Sequence, residues 1–249
     1  MFLQWVLEGG HGPAVPDDVI LNRDYRGRVN GMVYYGAQLV VAADAESAVD
    51  AIAVETRKHR GVRSFVGPKE AVDGLWARVK GWHPAPAIVR GAQPLYALVP
   101  EALRAIEPDV DVRPAREDEA ELVADHSGRM ILAELGYDPR ANRSTFVASV
   151  RRAIGLKLWW VWIVDGEVRF QLNVGPRTAA TAQLQGVWTP PSQRGKGYAS
   201  LALAAIARRM LATEATLSLY VNDFNAPAIA LYERVGFTRV GTFATYLFP

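Results

Sequence analysis

The stretch Gly186–Ala212, GVWTPPSQRGKGYASLALAAIARRMLA, predicts a strand, a short loop and a helix in succession. Pro190-Pro191 ends the strand, because a proline has no N–H to donate to the ladder. Gly195 and Gly197 let the loop turn tightly and let a ligand approach the backbone. The start of a helix after such a loop presents unpaired N–H groups and the positive end of the helix dipole. This arrangement favours an anion such as a diphosphate.

The residues of this loop separate it from two common phosphate-binding motifs. It lacks the Gly-Lys-Ser/Thr end of a Walker loop, and it has no GxGxxG followed by an acidic residue about 20 positions further on. Arg194 and Lys196 add positive charge, but on its own the loop is equally well explained as an ordinary strand–helix connection. The segment Arg194–Ala199, RGKGYA, resembles the Arg/Gln-x-x-Gly-x-Gly/Ala signature of the GNAT superfamily of N-acetyltransferases.

The bulk composition is that of a globular protein without strong charge bias. The chain has 249 residues, 22% of them charged, and a net charge of +2, so we expect no nucleic-acid and no membrane partner. It has no cysteine, and none of its four histidines forms a paired metal spacing, so we expect no disulfide and no metal site. The N-terminal segment lacks the basic region and the cleavage site of a signal peptide, and we expect a cytoplasmic protein.

Residues 1–105 are predicted to form a smaller α/β domain, in which short apolar strands alternate with helices of periodic apolar residues. Pro94 in its last strand indicates an edge strand or a bulge, and Pro68 suits the first turn of a helix. Because this half has no acid–base cluster and no phosphate loop, we interpret it as a packing or substrate-framing module. Its predicted elements are a strand pair within 29–42, a helix at 46–59, a strand at 62–66, a helix after 67–68 and a strand at 87–99.

A charged, proline-bearing linker, roughly residues 100–108, precedes a second domain at 109–249. There, Asp165-Gly166 is the pair that a type I′ hairpin turn prefers. Gly136 is predicted to end a helix, and Ser144 to cap the next one. The element order is β-α-α-β-β-β-α-β-α-β, a mixed α/β arrangement. Its predicted strands are 109–113, 157–164, 167–174, 181–189, 215–221 and 237–248, and its predicted helices are 116–135, 144–154, the helix after the glycine loop, and 226–235.

A second motif extends the resemblance to the GNAT superfamily. Residues 219–237, LYVNDFNAPAIALYERVGF, are similar to the family's Asn-x-x-Ala…Tyr-x-x-x-Gly-Phe segment. The two motifs stand at the expected separation within a matching element order, and residues 109–249 are therefore identified as a member of this superfamily. The resemblance implies an α/β fold with a mixed sheet flanked by helices. The N-terminal half is similar, more loosely, to an uncharacterised domain often fused ahead of such acetyltransferases, and a degenerate half of the same fold is one interpretation of it.

The resemblance implies acetyl-CoA as the co-substrate and assigns its binding mainly to the backbone. In the family, the strands before the two motifs diverge, and the pantetheine arm fills the gap. A backbone N–H near Val187 or Trp188 would polarise the thioester carbonyl, and the loop amides would hold the diphosphate. Asn225 has two interpretations, since it can cap the following helix and also contact the pantetheine arm. The residues assigned to coenzyme binding are Val187, Trp188, Thr189, Arg194, Gly195, Lys196, Gly197, Tyr198, Ala199 and Asn225.

Tyr232 and Glu134 are the candidate catalytic residues. By resemblance, Tyr232 donates a proton to the coenzyme thiolate, although its place in an apolar helical stripe also fits a core residue. Glu134 is the candidate general base. Glu167 and Asp165 are the other acids on the expected acceptor side, and the hairpin turn explains Asp165 better. A water relay without a dedicated base is the alternative.

The sequence as a whole predicts an acetyl-CoA-dependent N-acetyltransferase in which a primary amine attacks the thioester directly. No motif identifies the acceptor, which can be a small-molecule or a peptide amine, and both a monomer and a homodimer remain open. The chief alternative is a non-catalytic acyl-CoA-binding sensor, which turnover with a panel of amines would separate from an enzyme. A nucleic-acid module would need a basic stripe with interleaved aromatics, which the sequence lacks.

Overall fold

The computed structural model describes residues 18–36, 38–59, 61–106, 110–178 and 180–249. These residues divide into two compact units that are not continuous in sequence. Unit 1 contains the described residues up to Tyr96 together with Tyr220–Ile229 and Arg239–Pro249, and unit 2 contains Ala97–Leu219 and Ala230–Thr238. The predicted linear boundary between residues 105 and 109 stays a prediction, and Asp109, the predicted start of a strand, lies outside the described residues.

The strands of unit 1 form a mixed arrangement with two helices. A strand that crosses the boundary between the units is described with the unit that contains most of its residues. The strand order is β1-β2-β3-β4-β11-β5. The β1–β2, β2–β3 and β4–β11 pairs are antiparallel, and β3 and β4 are parallel. Its elements are β1 Val19–Arg23, β2 Val29–Tyr35, β3 Leu39–Ala43, α1 Glu46–Thr56, β4 Ser64–Pro68, α2 Lys69–Val79, β5 Ile88–Leu98 and β11 Thr238–Leu247.

In unit 2 the strands follow the order β10-β9-β8-β7-β6, with mixed directions. The β9–β10 pair is parallel and the other pairs are antiparallel. No helix in the described part of either unit is long and apolar enough to cross a bilayer. The elements of unit 2 are β6 Arg113–Pro114, α3 Ala120–Leu135, α4 Arg143–Gly155, β7 Trp159–Val164, β8 Glu167–Arg177, β9 Thr181–Trp188, α5 Tyr198–Met210, β10 Thr216–Tyr220 and α6 Ala226–Val235, with short 3-10 turns at Pro100–Ala102, Glu117–Glu119, Pro139–Asn142 and Pro191–Gln193.

Local sequence signals predicted most of these elements. Asp165 and Gly166 both have positive φ, 52° and 75°, as a type I′ turn requires. Gly136 ends α3 in the left-handed conformation at φ 76°. The predicted helix at 226–235 is confirmed residue for residue. The mixed α/β class is confirmed as well.

Two predicted details are wrong, and one alternative of a third is wrong. Ser144 does not cap α4, because the helix already begins at Arg143 after a 3-10 turn. Pro68 is the last residue of β4 and stands at the N-cap of α2 rather than in its first turn. Of the two interpretations of Pro94, the edge strand is wrong, because β11 flanks β5 on one side and the Val221 N–H donates to the Pro94 carbonyl from the other, at 3.2 Å. A proline is tolerated there because only its carbonyl is used. The bulge stays a prediction.

Two parts of the chain repeat one element order. In unit 1 it is β1-β2-β3-α1-β4-α2-β5, and the later part of the chain repeats it as β7-β8-β9-α5-β10-α6-β11. In both, the third and fourth strands are parallel neighbours. The connection from β3 to α1 is only Asp44-Ala45, whereas β9 and α5 are joined by residues 189–197. Unit 1 therefore has the order of a degenerate half of the same fold, without the glycine loop.

Glu119 ties β6 to the start of α3. Its carboxylate accepts hydrogen bonds from the Arg113 guanidinium at 2.9 and 2.7 Å and from the Arg116 N–H at 2.8 Å. Only 7% of its side chain is exposed. The Arg113 guanidinium is the main reason why the pKa of Glu119 lies below its ordinary value, although burial acts in the opposite direction.

We expect Glu119→Gln to lower the free energy of unfolding at neutral pH by roughly 1–3 kcal/mol, because hydrogen bonds between charged partners are lost. Since the folded-state pKa is depressed, the carboxylate's contribution is complete above the ordinary pKa of 4.5 and is lost as the pH falls through the folded-state pKa. Urea unfolding across the acid range should therefore give a difference between wild type and variant that shrinks as the pH falls. A difference that is constant with pH would contradict this role.

Candidate active site

In unit 2, β9 and β10 stay paired for only three residues. The parallel register runs from Thr181–Thr216 to Gln183–Ser218 and ends there. β9 continues to Trp188. Along residues 184–188, the β9 edge on this side has no registered partner in β10, so its backbone N–H and C=O groups are available to another strand-like group.

A β-bulge lies within this open part of β9. Between the register pairs Gln171–Trp188 and Asn173–Gln185, β9 carries one residue more than β8. Gly186 sits in the bulge with φ 56°, in the left-handed region that glycine adopts without strain. A bulge leaves one residue unpaired and bends the strand, so residues 186 and 187 stand outside the regular β8–β9 register. These residues belong to the segment that the family resemblance assigns to the thioester carbonyl.

The glycine loop continues directly from β9 to α5. Gly195 and Gly197 both have positive φ, 76° and 78°, and an ideal Cβ at either position meets no atom within 4 Å. Gly197 is the N-cap of α5, whose first turn receives no side-chain cap hydrogen bond. Among the described residues, no backbone acceptor faces the N–H groups of residues 195–199. The loop thus points a set of amides and a helix N-terminus into open space, which suits a phosphate group.

The two charged side chains of the loop have partners within it. Arg194 donates from Nε to the Thr189 carbonyl at 3.0 Å, and its guanidinium lies 4.8 Å from the centre of the Trp188 ring. Lys196 donates to the Gln193 side chain at 3.1 Å. Both groups are exposed, so they remain able to turn toward an anion.

Arg169 is a third cation beside the loop, and the sequence motifs do not include it. Its guanidinium lies 6.0 Å from the Tyr198 ring and 3.0 Å from a Glu167 oxygen. Glu167 also accepts a hydrogen bond from Gln193 at 3.2 Å. Glu167 is therefore part of the network that supports the loop, which favours a structural role over that of a base. Only the pairing of β8 with β9 brings Arg169 to this place.

Tyr232 and Glu134 are brought within electrostatic range of each other. The Tyr232 side chain is 6% exposed, and its ring makes an edge contact with Phe237 at 6.0 Å. Burial raises the pKa of the Tyr232 phenol well above its ordinary value, and the Glu134 carboxylate raises it further. Glu134 itself is exposed, at the end of α3. A buried, protonated phenol and an exposed carboxylate thus lie near each other.

The Gly-Phe pair of the second motif fixes the end of α6. The N–H groups of Gly236 and Phe237 both donate to the Tyr232 carbonyl, at 3.1 and 3.0 Å. Gly236 has φ 117°, and an ideal Cβ there would lie 2.1 Å from the Ala102 carbonyl oxygen. Only glycine fits this approach, and it holds the last turn of the helix that carries Tyr232.

Asn225 lies in unit 1, where its side chain accepts a hydrogen bond from the Ala228 N–H at 3.3 Å. Its capping role is thereby confirmed, and its role in coenzyme binding stays a prediction. A separate cavity of about 240 Å³ in unit 1 contains none of the predicted site residues, being lined by Asp50, Ala53, Val54, Arg57, Arg78 and Trp82. In the described ranges, no cluster of three or more His, Asp or Glu side chains could hold a metal ion.

Two family profiles match different parts of the chain. The acetyltransferase (GNAT) family matches residues 132–237. Residues 132–237 are a GNAT-family domain. A domain of unknown function, DUF4081, matches residues 20–123. No curated protein matches the chain.

Solved GNAT structures are similar to this chain over most of its length. A GCN5-related N-acetyltransferase from Sphaerobacter thermophilus has a TM-score of 0.62 at 14% identity, over 98% of this chain and 84% of that one. Another from Kribbella flavida has a TM-score of 0.58 at 17% identity, over 88% and 86%. A tandem GNAT protein from the clavulanic acid biosynthesis pathway has a TM-score of 0.51 at 14% identity, over 94% and 84%. The likeness shows the GNAT fold, and the family supports acyl transfer as the reaction class.

Proposed function

We propose that this protein transfers an acetyl group from acetyl-CoA to a primary amine. The observation that carries the proposal is the open edge of β9, which leads directly into a loop of backbone amides that face open space. An extended ligand arm along this edge would take up the backbone hydrogen bonds that β10 leaves free. A diphosphate at the far end of the same arm would meet the loop and the α5 N-terminus.

The residues present fit such a coenzyme. A Cβ at Gly195 or Gly197 would fill the space next to the amides, so both positions have to stay small. The amides of residues 195–199 would hold the diphosphate, with Arg194, Lys196 and Arg169 supplying positive charge around it. The amides of Val187 and Trp188, at the bulge, would donate to the thioester carbonyl. Bound acetyl-CoA supplies an activated acyl group.

The proton transfers are assigned to two side chains. Glu134 accepts a proton from the amine, whose nitrogen forms the new C–N bond to the acetyl carbon. The C–S bond breaks, its electron pair leaves on sulfur, and Tyr232 gives its phenolic proton to that sulfur. The phenolate then recovers a proton from the Glu134 carboxyl or from solvent. The raised pKa of Tyr232 keeps the phenol protonated until this step.

The diphosphate loop is tested by Gly197→Val. The added side chain fills the space at the amides and strains a left-handed position, and we expect the Kd for CoA to rise about tenfold or more. Gly136→Val is the matched control, because Gly136 has φ 76° and equally open surroundings at the end of α3. Isothermal titration of both variants should show weakened binding only for Gly197→Val. Wild-type protein that takes up no CoA thioester would refute the whole proposal.

Tyr232→Phe removes the proposed acid while keeping the buried ring. We expect kcat to fall about 100-fold or more, with the Kd for acetyl-CoA within twofold of wild type. Tyr35→Phe is the matched control, since burial also raises the pKa of the Tyr35 phenol, to about 12, and this residue lies in unit 1. Its kcat should stay at the wild-type value.

The pH profile gives a second test of Tyr232. Because its pKa is raised, wild-type kcat should show no loss with an apparent pKa at or below 10, the ordinary value for a phenol. An alkaline loss in that range that disappears in Tyr232→Phe would contradict the raised pKa, whereas one that persists in Tyr232→Phe would belong to another group. Acetyl-CoA binding without turnover across a broad amine panel would instead favour a sensor.

Glu134→Gln tests the general base. We expect kcat/KM for the amine to fall roughly tenfold or more near neutral pH, because the amine loses its proton acceptor. The deficit should shrink as the pH rises, since more of the amine is then already deprotonated. Glu121→Gln, an exposed residue on the same helix, should have no effect. An unchanged kcat/KM for Glu134→Gln would favour a water relay.

A further inference from the structure

A row of three residues crosses the sheet of unit 2 beside the proposed thioester position. Val161 pairs with Gln171, and Gln171 pairs with Trp188. Directly opposed residues of an antiparallel pair point to the same face of the sheet. Val161 packs in a hydrophobic cluster with residues of α3 and α4. The whole row therefore lies on the face that these helices cover.

One stripe of α3 runs over this face. His126, Met130 and Glu134 are spaced by four residues, so they share one side of the helix. The Met130 methyl group would lie 3.3 Å from a Cβ at Gly186, which puts this stripe against β9. The stripe runs along the sheet face that carries the row and ends at Glu134, whose charge raises the pKa of Tyr232.

Buried polar atoms without partners are concentrated in this layer. Gln171 is 0% exposed and Trp188 is 8% exposed. Among the described residues, six buried side-chain polar atoms have no hydrogen-bond partner, and five of them lie on the row, on the stripe or next to them: His126 Nδ1, Gln171 Nε2, Gln171 Oε1, Trp188 Nε1 and Thr189 Oγ1. Such groups cost stability and are rare in proteins, so a concentration of them at one place indicates a site kept for another partner.

A second buried glutamine shows that the cost is avoidable in this fold. Gln93, in unit 1, is 2% exposed. Its Nε2 donates to Asn222 at 3.0 Å, and its Oε1 accepts from Thr245 at 2.6 Å. Both ends of the Gln93 amide therefore have hydrogen-bond partners, whereas neither end of the Gln171 amide has one.

The donors and acceptors of Trp188 and Gln171 determine which chemical group would bind them. The Trp188 indole can only donate, and the Gln171 amide donates and accepts side by side. A carboxamide matches this set, because its carbonyl accepts from both donors while its N–H donates to Gln171 Oε1. Burial lowers the pKa of His126, so its ring is neutral at neutral pH. A neutral amide suits this layer better than a carboxylate, whose burial would cost more.

We propose that the amine acceptor carries a neighbouring carboxamide, as in an amino-acid amide or a peptide N-terminus, and that Gln171 and Trp188 bind this amide. The inference rests on the proposed acetyltransferase function. The polar atoms of this layer are buried, so the amide enters as neighbouring side chains move aside. Met130, which lies against β9 at Gly186, has an unbranched thioether side chain that moves at low cost.

The test compares three acceptors that differ in one group: L-phenylalaninamide, L-phenylalanine and 2-phenylethylamine, together with the alanine series. Wild type should acetylate the amides with a kcat/KM about tenfold or more above that of the other two. Gln171→Met should abolish this preference while leaving kcat/KM for the simple amine and KM for acetyl-CoA within twofold. A wild type without the preference, or a variant that retains it, would overturn the inference and leave the proposed function standing.

Thermal unfolding provides a readout that does not depend on activity. Gln171→Met keeps the side-chain volume and removes an unsatisfied amide, so Tm should rise by about 2–8 °C. Gln93→Met breaks two hydrogen bonds, and its Tm should fall. A fall for both variants would show that water already satisfies Gln171, which would overturn the inference.

The experiments also distinguish a wrong proposed function from a wrong amide site. If no amine is acetylated, the proposed function is wrong, and binding then decides on the amide site alone. With CoA present, phenylalaninamide should raise the Tm of wild type by more than that of Gln171→Met. An equal shift in both proteins, or no shift, would overturn the amide site as well.

Discussion

Unit 2 depends on one constraint. Where β9 and β10 separate, the backbone N–H and C=O groups along this edge of β9 have no partner in β10. The parallel pairing of β9 and β10 stops at Gln183–Ser218, and β9 then runs on to Trp188 with an open edge. Buried N–H and C=O groups need partners, so an edge of this kind is stable only beside water or a ligand. The bulge at Gly186 and the loop that follows place further free amides along the same line. A strand-like molecule with an anionic tail meets all of these requirements at once.

The repeated element order shows that the two halves of the chain differ mainly in one strand–helix connection. Both halves have a parallel pair between their third and fourth strands. In unit 1 the connection to the next helix is reduced to Asp44-Ala45, and no side chain caps that helix. A connection of this length has no room for amides that turn outward. One fold is therefore present twice in its order of elements, while the glycine loop belongs to one copy only, and function that lies in loops grafted onto a fold is expected to differ between such copies.

Buried polar groups at the proposed site lower the stability of the folded protein, whereas a comparable buried group elsewhere does not. Gln93 and Gln171 are both buried, yet only Gln93 has both amide ends bonded. Tyr232 is held in a buried position that disfavours its ionised form, next to a carboxylate that disfavours it further. Local conflicts of this kind are expected where a protein has to bind or transfer something, and they are rare elsewhere. Here Gln171 lies on the sheet face that α3 and α4 cover, and Tyr232 lies within electrostatic range of Glu134 at the end of α3.

The sequence by itself determined what depends on neighbours along the chain. The Asp165-Gly166 turn, the end of α3 at Gly136, the bounds of α6 and the glycine loop all follow from the backbone preferences of a few adjacent residues. The tertiary structure alone decided that Glu134 approaches Tyr232, that Arg169 supports the loop, and that Gln171 lies beneath α3 without a partner. It also decided that the last strand pairs with β4, far earlier in the chain. Such contacts depend on strand order and register, which join residues distant in sequence and which no local pattern of hydrophobicity or turn residues specifies.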